Sequence, residues 1–199
     1  MCRKGTCLAA HHIGNVELGI VEDLGSLARD IDGVCRLTGS FTLRSGQIAT
    51  EYFDKYLFEA RPDLLRRVAE AMVPLLPGRV DLLGGLELGG VPIATMVSQL
   101  TGIPTLFVRK QAKTHGTCRL AEGADVTGRT VVLIEDVITS GGAVRDAARE
   151  LRADGARIEV VVCAIDRSSP DLHPLIDTGI EVRSVLTREA LDSARLTSS

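Results

Sequence analysis

The run Val131-Val132-Leu133-Ile134-Glu135-Asp136-Val137-Ile138-Thr139-Ser140-Gly141-Gly142 constrains this chain more than any other segment. Its first four residues are apolar and three of them are β-branched, which predicts a buried strand. Two adjacent carboxylates stand at the strand's end. A small turn rich in hydroxyls and glycine follows, and Ala143-Val144-Arg145-Asp146-Ala147-Ala148-Arg149-Glu150-Leu151 reads as the start of a helix. A strand feeding a helix through such a turn aims backbone N–H groups and the positive helix end at one point, which suits a phosphate. The carboxylates beside it suit hydroxyls or a Mg²⁺-bound ligand. Phosphate and polyol sit together in a sugar phosphate. The turn is not a Walker loop, because no Gly-Lys-Ser/Thr follows the glycines.

The rest of the chain alternates around that strand. Residues 23–36 predict a helix with Leu24, Leu27, Ala28 and Ile31 on one face, and Gly39 to Gly46 a short strand and turn. Pro62 starts the next helix, striped by Leu64, Leu65, Val68, Ala69 and Met72. Val80-Asp81-Leu82-Leu83 predicts a strand, residues 84–90 a loop, and Val91 to Leu100 a helix closed by Gly102. Pro104 to Arg109 is the next strand. A polar stretch from Lys110 to Arg129 precedes the motif strand, whose helix ends near Gly155. Strands at Ile158 to Ile165 and Val182 to Leu186 complete the order. Such a β-α-β-β-α-β order implies a mostly parallel sheet covered on both faces, with ligands at the carboxyl ends of its strands. The loop after Leu83, the stretch after Val108 and the acidic pair all fall at that edge.

Arg109-Lys110-Gln111-Ala112-Lys113-Thr114-His115-Gly116 places three cations and a histidine in one loop. Alone, such a run is usually a solvated face. Beside a sugar-phosphate motif it suits a polyanion such as pyrophosphate. Its polarity and its glycines predict a mobile lid over about residues 110–122.

The motif string resembles the phosphoribosyl pyrophosphate (PRPP) motif of the type I phosphoribosyltransferases. The Arg-Lys-x-x-Lys-x-His-Gly loop narrows the resemblance to orotate phosphoribosyltransferases. So do Phe41-Thr42-Leu43-Arg44-Ser45-Gly46, similar to that family's Phe-Thr-Leu-Lys-Ser-Gly, and Asp166-Arg167 at a late strand end. A purine enzyme of the same fold would share only the PRPP motif. The resemblance implies an α/β protein of the type I phosphoribosyltransferase fold, a central, mostly parallel sheet flanked by helices. Residues 21–199 would form one domain with a small hood mainly from 21–60 and a core from 61–199, behind a frayed extension of residues 1–20.

It also implies site residues. Glu135 and Asp136 would hold the ribose hydroxyls, and Thr139, Ser140, Gly141 and Gly142 the 5′-phosphate. Arg109, Lys110, Lys113 and His115 would bind or screen pyrophosphate, with Lys113, His115 and Asp136 in the catalytic roles. Arg44, Thr139 and Arg167 would face orotate. Mg²⁺ would be held mainly through PRPP and water, with no direct protein ligand. The 109–122 loop would complete the neighbouring site of a homodimer. Two departures stand out. Gly89 occupies the place of a lysine that many relatives carry before Gly-Ile/Val-Pro, and Arg44 replaces a lysine, keeping the charge but changing the hydrogen-bond geometry. The segment after Gly46 lacks the family's Ser-Pro-Tyr, and Tyr52, Phe53, Tyr56 and Phe58 are expected to pack within the hood.

Composition excludes other classes. Across 199 residues, 45% hydrophobic content is too high for a disordered chain, and a net charge of −3 without a basic run argues against a nucleic-acid partner. Apolar runs such as Val160 to Ile165 are too short to span a bilayer, so a cytoplasmic protein is expected. The five cysteines (Cys2, Cys7, Cys35, Cys118, Cys163) are odd in number and scattered, which does not fit a secreted disulfide framework. Cys2, Cys7, His11 and His12 have no second ligand pair at finger spacing. Transfer to another base, or a PRPP-sensing regulator, remains the alternative at this point.

Overall fold

The computed structural model describes residues 11–12, 23–42, 45–111, 120–169 and 175–196. A short strand β1 (His11–His12) precedes helix α1 (Leu24–Cys35), the hairpin strands β2 (Arg36–Thr42) and β3 (Ile48–Phe53), and helices α2 (Tyr56–Glu59) and α3 (Pro62–Met72). The body runs β4 (Arg79–Val80), β5 (Leu82–Leu86), α4 (Gly90–Thr101), β6 (Thr105–Val108), β7 (Ala121–Glu122), β8 (Val131–Ile138), α5 (Gly142–Ala153), β9 (Val160–Asp166), β10 (Glu181–Thr187) and α6 (Arg188–Leu196).

Six strands form the central sheet in the order β10-β9-β8-β5-β6-β7. All neighbours are parallel except β7, which runs antiparallel along the β6 edge. Side chains alternate across it, as the pleat requires. From β8, Val132 and Ile134 join the core under α1, α3, α4 and α6, while Val131 and Leu133 join the core under α5. Both faces are therefore covered, and β8 reads as a continuous apolar run for that reason. The chain leaves β5 for β6 on one side and returns to β8 on the other. That reversal opens a crevice at the carboxyl ends of β5 and β8, where ligands of open α/β sheets bind.

Several sequence expectations change. The strand expected to stop at Leu83 continues through Gly84 and Gly85 to Leu86. A Cβ on Gly85 would lie 2.8 Å from the Gly90 carbonyl oxygen and 2.9 Å from the Ala94 Cβ, so its absence lets α4 pack onto the strand. Glu135 and Asp136 lie inside β8, which extends to Ile138. Ala121–Glu122 pairs with Phe107 and Val108, so the segment expected to be a mobile lid to residue 122 ends in a strand. His11–His12 pairs with Arg79–Val80 rather than fraying. Helix α6 follows the strand expected to be last, burying Leu191 and Ala194.

Helix α1 belongs to the main core through Leu27, Ala28, Ile31 and Cys35, whereas Leu24 is 44% exposed. The hairpin β2–β3 is a separate sheet. Arg36 ties it to α1 through Asp32 at 2.7 Å and to α6 through Asp192 at 3.4 Å, and reaches Glu51 of β3 at 3.2 Å. Phe58 is fully buried, as the packing expectation required, but Tyr52 and Tyr56 are about half exposed at 46% and 45%. Tyr52 rests on Phe41, ring centroids 5.5 Å apart. Cys35 and Cys163 are buried and unbridged. Among the described residues no helix is long and apolar enough to cross a membrane.

Candidate active site

The apolar half of β8 anchors it in the sheet, and its polar half emerges at the crevice. Glu135 and Val137 line a cavity of about 710 Å³ together with Lys55, Arg109, Lys110 and Thr139. The walls come from the ends of β5, β6 and β8, the start of α5 and the segment before α2. Beside it, a smaller hollow of about 90 Å³ is formed by Thr139, Ser140, Gly141 and Gly142 at the start of α5. Gly141 caps that helix in the left-handed region, with φ of 66°, which a side chain would strain. The turn presents free helix N–H groups to the hollow, so a phosphate there meets both the hydrogen-bond donors and the positive helix end.

The acidic pair is buried. Asp136 has no exposed surface and Glu135 very little. A third carboxyl, Glu59 of α2, is buried against them. Lys55 Nζ lies 2.6 Å from Asp136 Oδ2. Burial pushes the Glu59 carboxyl up to about 8, helped by the neighbouring Asp136. Burial and Asp136 likewise push Glu135 well above the ordinary carboxylate range. Burial also acts to raise Asp136, but hydrogen bonds with Glu135, Lys55 and Glu59 outweigh it and hold this carboxyl below its usual value. Desolvation acts to lower the Lys55 ammonium, and pairing with Asp136 outweighs it and raises it. Lys55 and Asp136 thus form an ion pair with two further buried carboxyls, Glu59 and Glu135, beside it. Of the three buried acids, Glu135 alone lines the large cavity.

Arg109 and Lys110 stand where β6 ends. The Arg109 N–H donates to the Leu120 carbonyl at 2.9 Å, and the Lys110 N–H donates to Glu87 Oε2 at 2.8 Å. These bonds fix the backbone at the loop's base and leave both side chains exposed at the cavity. Lys113 and His115 lie outside the described residues, as does Arg44. Arg167 follows β9, and its N–H donates to the Ile138 carbonyl at 2.8 Å. Its guanidinium covers the Phe53 ring at 5.0 Å, toward the hairpin rather than the large cavity. Burial, then the nearby Arg188 and Arg36, lower its pKa. A half-buried guanidinium crowded by others gains from an anionic partner.

Sequence reasoning missed Lys55 and Glu59. No motif surrounds them, and Gly89 was the only clue. A Cβ there would fall 1.9 Å from Asp136 Oδ2 and 2.5 Å from Glu59 Oε1, so the acids occupy the space a side chain at 89 would need. Among the described residues no group of three or more His, Cys, Asp or Glu side chains is arranged to hold a metal ion. The donor set nonetheless fits Mg²⁺ delivered on a polyphosphate, which needs only one or two carboxylates and water from the protein.

A hollow at the start of α5, a buried acidic pair and exposed cations thus meet at one switch point of a parallel α/β sheet. Comparison with known proteins agrees. Residues 58–182 match the phosphoribosyl transferase domain. An orotate phosphoribosyltransferase of a Nocardioides species is 74% identical over 85% of this chain and 95% of its own. That of Methanocella arvoryzae is 36% identical over 77% of this chain and 87% of its own. The crystal structure of Mycobacterium tuberculosis orotate phosphoribosyltransferase in complex with PRPP superposes with a TM-score of 0.71 at 26% identity, covering 86% of this chain and 99% of that one. The chain belongs to the orotate phosphoribosyltransferase family.

Proposed function

We infer that this protein transfers the phosphoribosyl group of PRPP to orotate, giving orotidine 5′-monophosphate and pyrophosphate, a step of pyrimidine biosynthesis. The observation that carries the reading is the Glu135–Asp136 pair beside the Thr139–Gly142 hollow, in a chain of this family. The hollow holds the 5′-phosphate through backbone N–H groups and the hydroxyls of Thr139 and Ser140. Glu135 and Asp136 accept or share hydrogen bonds with the ribose 2′- and 3′-hydroxyls. Arg109, Lys110, Lys113 and His115 face the pyrophosphate, and Arg44, Thr139 and Arg167 the orotate.

In the reaction the bond from ribose C1 to pyrophosphate breaks as orotate N1 bonds to the opposite face of C1, inverting it, and the N1 proton leaves to pyrophosphate or water. Positive charge grows on the ribose and negative charge on the leaving group. Mg²⁺ bound with PRPP supplies neutralisation of that leaving group. Lys113 and His115 add hydrogen bonds that strengthen as the charge develops, and Asp136 holds the ribose while it becomes cationic. Positioning and screening carry the catalysis, so no nucleophilic side chain is required. The 109–122 loop excludes water from the reacting carbon and completes the neighbouring site in a homodimer. A cytoplasmic location accords with this role. Purified protein given PRPP, Mg²⁺ and single bases tests the reading through pyrophosphate release. Release with orotate is expected. Release with uracil or hypoxanthine and none with orotate overturns it.

A further inference from the structure

Lys55 belongs to none of the segments that mark the site in the sequence, yet the fold brings it there. It follows β3 and precedes α2, and its Nζ reaches Asp136 Oδ2 at 2.6 Å. Its side chain is 32% exposed while that of Asp136 is 0% exposed, so the ammonium stands between a buried carboxylate and the large cavity. The same cavity is walled by Arg109 and Lys110, the described cations at the end of β6. On the β5 side the loop brings no cation at Gly89, and the carboxyls of Asp136 and Glu59 lie in the space beside it. A positive charge therefore reaches this wall from the hood side.

We infer that Lys55 binds the pyrophosphate group of PRPP, leaving Asp136 when the ribose hydroxyls take over that carboxylate. This rests on the phosphoribosyl transfer proposed above and adds a residue to it. In the free protein a fully buried, ionised Asp136 needs a counter-ion, and Lys55 is the cation paired with it among the described residues. Hydroxyls arriving at Asp136 satisfy the same lone pairs. The ammonium is then free to turn toward a polyanion carrying more charge than one carboxylate. A lysine suits this exchange, since its compact charge rides on a flexible stem that re-aims without moving the backbone. Nζ also stands over the Tyr56 ring, 5.4 Å from its centroid, and Tyr56 lines the same cavity. Both charges stay paired before and after binding, so neither state leaves a charge buried alone.

Calorimetric titration with PRPP and Mg²⁺ in the absence of orotate, on wild type, Lys55→Ala and Lys55→Arg, tests the inference alongside steady-state kinetics. Lys55→Ala is expected to weaken PRPP binding and raise the PRPP KM about tenfold or more, the loss of a charge-assisted contact, while the orotate KM moves much less. Lys55→Arg is expected to recover most of the loss, because the charge is kept. Wild-type affinity in Lys55→Ala, or equal losses in both variants, overturns the inference. Should Lys55→Ala lose its cooperative melt, a crystal structure of wild type with PRPP and Mg²⁺ decides. Nζ within about 3.2 Å of a pyrophosphate oxygen of PRPP supports the inference, and Nζ still on Asp136 overturns it. Wild type that fails to turn over orotate counts against the transfer reading. Wild-type turnover with PRPP binding indifferent to position 55 counts against Lys55 alone.

Discussion

Replacing Asp136 by asparagine keeps the shape of the side chain and removes its charge. Two effects then oppose each other in the free protein. Lys55 loses its partner, but Glu59 and Glu135 lose the neighbour that, after burial, does most to raise them. Breaking a fully buried ion pair from one side costs about 3–5 kcal/mol. Lys55 is 32% exposed, so water compensates for part of that loss. Relief of the two acids offsets more, and the net change in stability should stay within about 2 kcal/mol, or roughly 4–8 °C in Tm for a domain of this size. In the complex nothing offsets the loss. Hydrogen bonds from ribose hydroxyls to an ionised carboxylate are charge-assisted and worth about 1.5–3 kcal/mol, which corresponds to about a ten- to hundredfold change. Initial rates with PRPP varied at saturating orotate should therefore show kcat/KM for PRPP down by that factor, with the orotate KM little changed. A melting curve run in parallel separates folding from binding. Wild-type kcat/KM for PRPP in Asp136→Asn would refute the ribose-hydroxyl role.

Three further outcomes are expected. Glu59 ionises near 8 in the folded protein against an ordinary value of 4.5, so between those values the unfolded chain releases a proton that the folded one keeps. Stability then falls as pH rises through that window and levels off above it. Melting curves from pH 5 to 9 should show a downward slope that Glu59→Gln flattens, and an equal slope in that variant assigns the effect elsewhere. Arg167→Ala should raise the orotate KM roughly ten- to a hundredfold, the loss of one charge-assisted contact, and the PRPP KM far less, a split that initial-rate kinetics resolve. Lys113→Ala should lower kcat more than it raises the PRPP KM. Mixed with Asp136→Asn subunits, it should partly restore activity if the loop acts across a dimer. Unrestored activity after mass measurement has shown subunit exchange would place the loop in its own subunit's site.

The parallel sheet and the glycine-rich turn into α5 were legible because each rests on a contiguous signal. β8 is an unbroken apolar run, and the turn is four consecutive small residues, Thr139 to Gly142. Errors arose where a local signal has two structural meanings. Gly84-Gly85 resembles a loop, yet here the missing side chain of Gly85 admits helix α4 onto the strand, which only tertiary packing decides. Ala121–Glu122 carries too little pattern to announce an edge strand. Lys55 and Glu59 were invisible for a different reason. They join Asp136 across about eighty residues of chain (136 against 55 and 59), and no period or spacing encodes a contact made by folding alone. Gly89 did carry a trace of them, since the ends of the Asp136 and Glu59 side chains occupy the space beside it. Arg44, Lys113 and His115 lie outside the described residues, so their places in the site rest on the resemblance.

The most direct measurement offers the protein all acceptors at once. Wild type is incubated with PRPP, Mg²⁺ and equimolar orotate, uracil, adenine, guanine and hypoxanthine, and the nucleotides formed are identified by mass spectrometry. Orotidine 5′-monophosphate should dominate, and its formation should match the pyrophosphate released. A different nucleotide in its place, or PRPP bound without any nucleotide formed, would contradict the account.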